Sequence, residues 1–150
     1  MFDLTSLHQK VIHFPIALLS IYPFFELYAL LKKGELVDKI NLILITLGTI
    51  SLSIALISGN ITLNSYNNEL NEKELEIINN HLDFANYLAW TTAFLFLSRI
   101  YFNKKIKQSN YIRVLIIIIS FLVLYFLYYT GEFGGKTNEL LIFNKRKLIN

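Results

Sequence analysis

The sequence predicts an all-α polytopic membrane protein, a single-domain bundle of four transmembrane helices. Three observations lead there. The 150 residues are 54% apolar and only 17% charged, with a mean hydropathy of +0.46. An average soluble domain has ~45–50% apolar and ~25% charged residues. The apolar residues gather into four runs of about 20 residues, the length that crosses a ~30 Å hydrocarbon core at ~1.5 Å per residue. Aromatics reach 15%, which suits anchoring at membrane–water interfaces. Together these exclude a disordered tail, a disulfide-stapled secreted domain and an ordinary soluble enzyme.

The first span is expected over about Val11–Leu31 and the second over about Ile40–Gly59. The third covers about His81–Phe102 and the fourth about Tyr111–Thr130. A short polar tail, 131–150, completes the domain. Backbone groups in lipid must be satisfied within their own segment, so each span reads as a helix. The first ten residues lack the basic cluster of a cleaved leader, so the first run is expected to stay as a span. Short loops, 32–39 and 103–110, join the spans in pairs, and a longer acidic loop, 60–80, joins the pairs. Asn71 with Glu74 three residues on reads as a capping box, so the third helix is expected to start in water near Glu72 or to break near Asn79 and Asn80.

Basic residues set the orientation. Lys32, Lys33, Lys39, Lys104, Lys105, Lys107 and Arg113 flank the two short loops, which places those loops in the cytoplasm. The termini and the 60–80 loop then lie outside. The net charge of +3 sits in these membrane-flanking clusters, which argues for a lipid bilayer and against nucleic acid.

The chain has no cysteine, so it has no disulfide, no thiolate metal site and no covalent haem attachment. It has three histidines, His8, His13 and His81, all expected at the outer surface. Ionisable groups at membrane depth are functional candidates, although polar residues at helix ends are also common. His8 and His13 are five apart, about 140° around a helix, so they cannot share one site on an ideal helix. Pro15 removes a hydrogen bond to Val11 and predicts a kink near His13. A ligand pair across helices, His13 with His81, is the easier construction, and imidazole is a common axial ligand of haem iron. Small residues line the second and third helices: Gly48, Ser51, Ala55 and Gly59 on the second, and Ala85, Ala89 and Ala93 on the third. Such stripes serve close helix packing or leave room for a macrocycle.

Glu26 and Arg99 lie toward the cytoplasmic ends of helices one and three and are expected either to pair or to snorkel separately. Gly131, Gly134 and Gly135 follow the fourth span; they suit a helix cap and turn, or a segment closing over a cofactor on the histidine side.

The run Leu7-His8-Gln9-Lys10-Val11-Ile12-His13-Phe14-Pro15 resembles the opening His-Pro…His-Phe-Pro pattern of the "domain of unknown function 2231" family, small four-helix membrane proteins found mostly in bacteria. Ser58-Gly59, His81, Arg99 and Gly131…Gly134-Gly135 continue the resemblance to about Phe143. Gln9 departs from the family's proline, and the tail after Lys136 departs as well. Some family members are fused to Rieske-type or c-type cytochrome domains. The resemblance therefore implies a bacterial cytoplasmic membrane protein that works beside electron-transfer chains, loosely similar to cytochrome b561-type bundles. The leading expectation is an electron-transfer subunit binding haem b through His13 and His81, with His8 near a propionate or a quinone. A redox or respiratory partner protein would supply the next carrier, and a homo-oligomer is also open. The alternatives are a structural subunit of a larger membrane complex, or a metal-binding or transport protein using the three histidines. No nucleophile elbow, zinc-protease motif or phosphate loop supports hydrolysis.

Overall fold

The computed structural model describes residues 4–64, 71–106 and 109–147. Six helices follow one another: α1 (Leu4–Val11), α2 (His13–Leu31), α3 (Glu35–Asn64), α4 (Glu72–Tyr101), α5 (Asn103–Ile106) and α6 (Asn110–Lys147). Glu69 of the acidic loop and Lys107 of the basic one lie outside the described residues.

The four long helices alternate in direction. Asn41 on α3 reaches the Phe25 carbonyl of α2, while Gly48 meets Leu18 and Leu19 of α2, so α2 and α3 are antiparallel. His81 near the start of α4 meets Thr130 late in α6, so α4 and α6 are antiparallel too. Around the bundle the order is α3, α2, α6, α4, and α4 with α6 is the most extensively packed pair. The diagonal pairs, α2 with α4 and α3 with α6, have no close backbone approach among the described residues.

Local sequence explains the helix boundaries. α1 and α2 are interrupted at Ile12, where the backbone is still in the right-handed helical region. Pro15 has no N–H for the Val11 carbonyl, so the ladder is broken at this point. Asn71 caps α4: its side chain accepts from the Glu74 N–H, and Glu74 returns the bond to the Asn71 N–H. α4 then runs unbroken past Asn79 and Asn80. α3 begins at Glu35, well before the expected span, and takes Asp38 into its first turn.

One expectation is corrected. The turn or closing segment anticipated over Gly131–Gly135 is helix, because α6 continues through Thr130 to Lys147. Glycine lowers helix propensity by about 1 kcal/mol, but neighbouring contacts oppose that here. Lys136 pairs with Glu132 one turn back at 2.8 Å and lies over the Phe133 ring. No glycine among the described residues has a positive φ.

The bundle is apolar inside and out. Leu19, Tyr22, Ile45, Leu52, Leu88, Leu95, Ile116 and Val123 form the core. Phe14, Trp90, Tyr101 and Ile118 are each 60–77% exposed on its outer surface, the pattern of a protein whose solvent is lipid. Hydroxyls on the helices bond back to their own carbonyls one turn earlier, as Thr46, Thr49, Thr91 and Thr130 do. Close packing of α2 on α3 depends on Gly48, where an added Cβ would lie 2.7 Å from Leu19 Cδ2.

Among the described residues, three helical stretches are long and apolar enough to cross a membrane: His8–Leu31, Glu35–Leu63 and Asn110–Leu140. The apolar runs predict four. α4 has the length, at 30 residues, but Glu72, Lys73, Glu74, Glu76, Asp83 and Arg99 dilute its hydropathy.

Candidate functional site

Polar groups concentrate at the two ends of the bundle, separated by the apolar core. One end carries two histidines. The other carries a buried network of charges.

At the histidine end, His8 projects from α1 onto α3. Its Nδ1 lies 2.9 Å from Ser58 Oγ, and Ser58 Oγ in turn lies 2.9 Å from the Ala55 carbonyl oxygen. The hydroxyl can accept from an Nδ1–H or donate to a bare Nδ1, and either way it holds the ring against α3. His81 projects from α4 onto α6, and its Nδ1 lies 3.1 Å from the Thr130 carbonyl oxygen. A carbonyl only accepts, so His81 carries its proton on Nδ1 and keeps its basic lone pair on Nε2.

Each ring also rests on a glycine of the neighbouring helix. A Cβ at Gly59 would lie 3.0 Å from His8 Cε1, and a Cβ at Gly134 would lie 3.1 Å from His81 Cε1. Both contacts are tighter than a side chain tolerates without displacing the ring. Phe84, close after His81 on α4, stacks on Tyr129 at 5.1 Å and on Phe133 at 5.5 Å.

The candidate residues divide accordingly. His8 and His81 are both partly buried at the same end of the bundle, each against a different helix, whereas His13 is exposed on α2. The two histidines of the opening motif lie in different surroundings, as a separation of about 140° around a helix requires. Only Gly134 of the three late glycines meets a histidine; nothing lies within 4 Å of a Cβ built at Gly131 or Gly135. Gly131 instead lines a groove of about 460 Å³ between α2 and α6, with Ile16, Ser20, Leu127 and Glu132. Among the described residues no group of three or more His, Cys, Asp or Glu side chains is placed to hold a metal ion.

At the other end, Arg99 and Glu26 touch: Arg99 Nε donates to Glu26 Oε1 at 2.7 Å. They belong to a larger network. Arg113 Nη1 donates to Glu26 Oε2 at 3.2 Å, and Arg113 Nη2 donates to Asp38 Oδ1 at 2.7 Å. Arg99 Nη2 reaches Asp38 Oδ1 at 3.4 Å and the Asp38 carbonyl at 3.2 Å, and its Nη1 donates to Asn103 Oδ1 at 3.1 Å. Tyr22 donates its hydroxyl to Glu26 Oε1 at 2.9 Å. Glu26 and Arg99 have no exposed surface, and Arg113 and Asp38 have almost none. Two cations and two carboxylates cancel, which is what makes their burial tolerable. Arg113 Nε and Asn41 Oδ1 are buried without a partner among the described residues.

Sequence reasoning misses Asp38, Arg113, Tyr22 and Asn103 as members of this network. It leaves Asp38 in a loop and counts Arg113 with the lysines that flank the membrane. The available signal is position: Asp38, Arg113 and Asn103 each lie near a helix end on the side where Glu26 and Arg99 are expected, and Tyr22 stands one turn before Glu26.

The fold and its charge placement define a helical membrane protein. The chain belongs to the family described as "Predicted membrane protein (DUF2231)", whose model matches residues 5–139. No curated protein and no solved structure matches the chain.

Proposed function

We propose that the protein is a membrane haem b electron carrier in which His8 and His81 would hold the iron. The observation that carries this reading is that each ring is anchored through Nδ1, His8 at Ser58 Oγ and His81 at the Thr130 carbonyl. The carbonyl only accepts, so His81 Nε2 keeps its lone pair, the state an iron ligand requires; the same tautomer of His8, with Nδ1–H toward Ser58, would free its Nε2 as well. A bare metal ion would need further protein donors, and the described residues hold no group of three or more His, Cys, Asp or Glu side chains placed for one. A porphyrin brings four nitrogens of its own, so two imidazoles would suffice to hold haem. When bound, haem supplies reversible one-electron chemistry.

The chain's own residues orient the rings. Ser58 and the Thr130 carbonyl hold the ring planes, and Gly59 and Gly134 allow both rings to lie between helices. His13 is not a ligand in this reading. We read α4 as the fourth span, because Tyr87, Trp90, Phe94, Leu97 and Tyr101 form an exposed apolar stripe along it. The ion-network end then faces the cytoplasm with the exposed Lys32, Lys33, Lys104 and Lys105. The histidine end faces outward, toward a redox partner in the membrane or beside it.

The test is optical. Protein purified from cells supplied with haem should show a Soret band and a sharp reduced α band of six-coordinate low-spin iron. His8→Ala and His81→Ala should each abolish the low-spin spectrum. A colourless, folded preparation would end the reading.

A further inference from the structure

The four buried charges are distributed by hairpin. The α2–α3 hairpin contributes both acids, Glu26 and Asp38, and the α4–α6 hairpin contributes both bases, Arg99 and Arg113. Every long helix gives one charge. All four of their ion pairs cross from one hairpin to the other. Two of them, Glu26 with Arg99 and Asp38 with Arg113, join helices that have no close backbone approach among the described residues. The network therefore sits on the bundle axis, where the two hairpins meet.

From this we infer that the network is a recognition key: the two hairpins are oppositely charged docking surfaces, each the other's partner. An undocked α2–α3 hairpin holds two carboxylates near membrane depth, and an undocked α4–α6 hairpin holds two guanidiniums. Each state is costly in lipid. Docking removes both costs together. Pairing of like hairpins from two copies of the chain would gather four charges of one sign on one axis, so the key also rejects the homotypic partner. The apolar helix faces lack such discrimination, because lipid and leucine are nearly equivalent surroundings.

The test uses full-length chains in native membranes, read by trypsin resistance and by exchange between two differently tagged copies. Neutralising only the acids (Glu26→Gln with Asp38→Asn), or only the bases (Arg99→Met with Arg113→Met), leaves two uncompensated charges. Either should reduce the trypsin-resistant protein by roughly tenfold or more. Combining all four substitutions should restore it, because no charge is left to pair. A second quadruple variant exchanges the signs between the hairpins (Glu26→Arg, Asp38→Arg, Arg99→Glu, Arg113→Asp) and covers the case in which the neutral one packs poorly. Recovery in either supports the key. Failure of both, or undiminished protein after neutralising one hairpin alone, overturns it. The neutral chain should also form mixed complexes between tagged copies several-fold more than the wild type; equal mixing in the two would overturn the rejection of like hairpins.

Discussion

At the scale of single residues, two glycines decide where the histidines sit. Gly59 and Gly134 are each within about a methyl group's reach of an imidazole, at 3.0 and 3.1 Å from an added Cβ. Gly134→Ala should push His81 off the Thr130 carbonyl and destabilise the protein by about 1–3 kcal/mol, the usual range for overpacking. Gly135→Ala, with open space around its Cβ, should be neutral or slightly stabilising through helix propensity. Thermal unfolding in detergent checks both, and equal effects at the two positions would contradict the assignment. Glu26→Gln tests the other end. It leaves Arg99 and Arg113, themselves buried, short of a counter-charge, and a loss of about 3–5 kcal/mol is expected. A change within about 0.5 kcal/mol of zero would place the charge in contact with water instead.

At the scale of elements, the break at Ile12 matters most. The sequence places the interruption near His13, because Pro15 has no N–H for the Val11 carbonyl. Which histidine faces inward is out of reach of sequence: His8 meets α3 and His13 is exposed. Periodicity on an uninterrupted helix says only that the two diverge by about 140°, not which one faces inward. The Asn71 capping box is legible for the opposite reason, since a reciprocal bond three residues apart is wholly local. Asn71→Ala should cost about 1 kcal/mol and fray the first turn of α4, seen as faster amide exchange over residues 72–75. Unchanged exchange there would show that tertiary contacts hold the turn instead. The helical course of Gly131–Gly135 is not legible, because three glycines in five residues carry a strong local turn signal. It is overridden by the pairing of α6 with α4, to which Gly134 belongs, and by Lys136 binding back to Glu132 and Phe133.

At the scale of the whole molecule, a nearly uniform apolar composition is organised by few polar groups. The apolar runs and their spacing give away the helical membrane class, because lipid imposes one solution on backbone hydrogen bonding. They say little about which helices touch, since the inner and outer faces are almost equally greasy. Specific arrangement comes from the polar ends: the four-charge network at one and the two glycine-seated histidines at the other. Asp38 and Arg113 illustrate why half of that network escapes sequence reasoning. Each sits near lysines that do face water, and only the folded bundle distinguishes a charge drawn onto the axis from one left at the rim. The proposed haem ligands obey the same logic, because His8 is seated only once α1 lies on α3, and His81 only once α4 lies on α6.

The proposed ligation is tested most directly by haem content per chain, measured for the wild type and for His8→Ala, His13→Ala and His81→Ala prepared side by side. Haem should be retained in the wild type and in His13→Ala, and lost from His8→Ala and His81→Ala, with all four proteins folded. Haem retained in His8→Ala but lost from His13→Ala would contradict the ligand assignment.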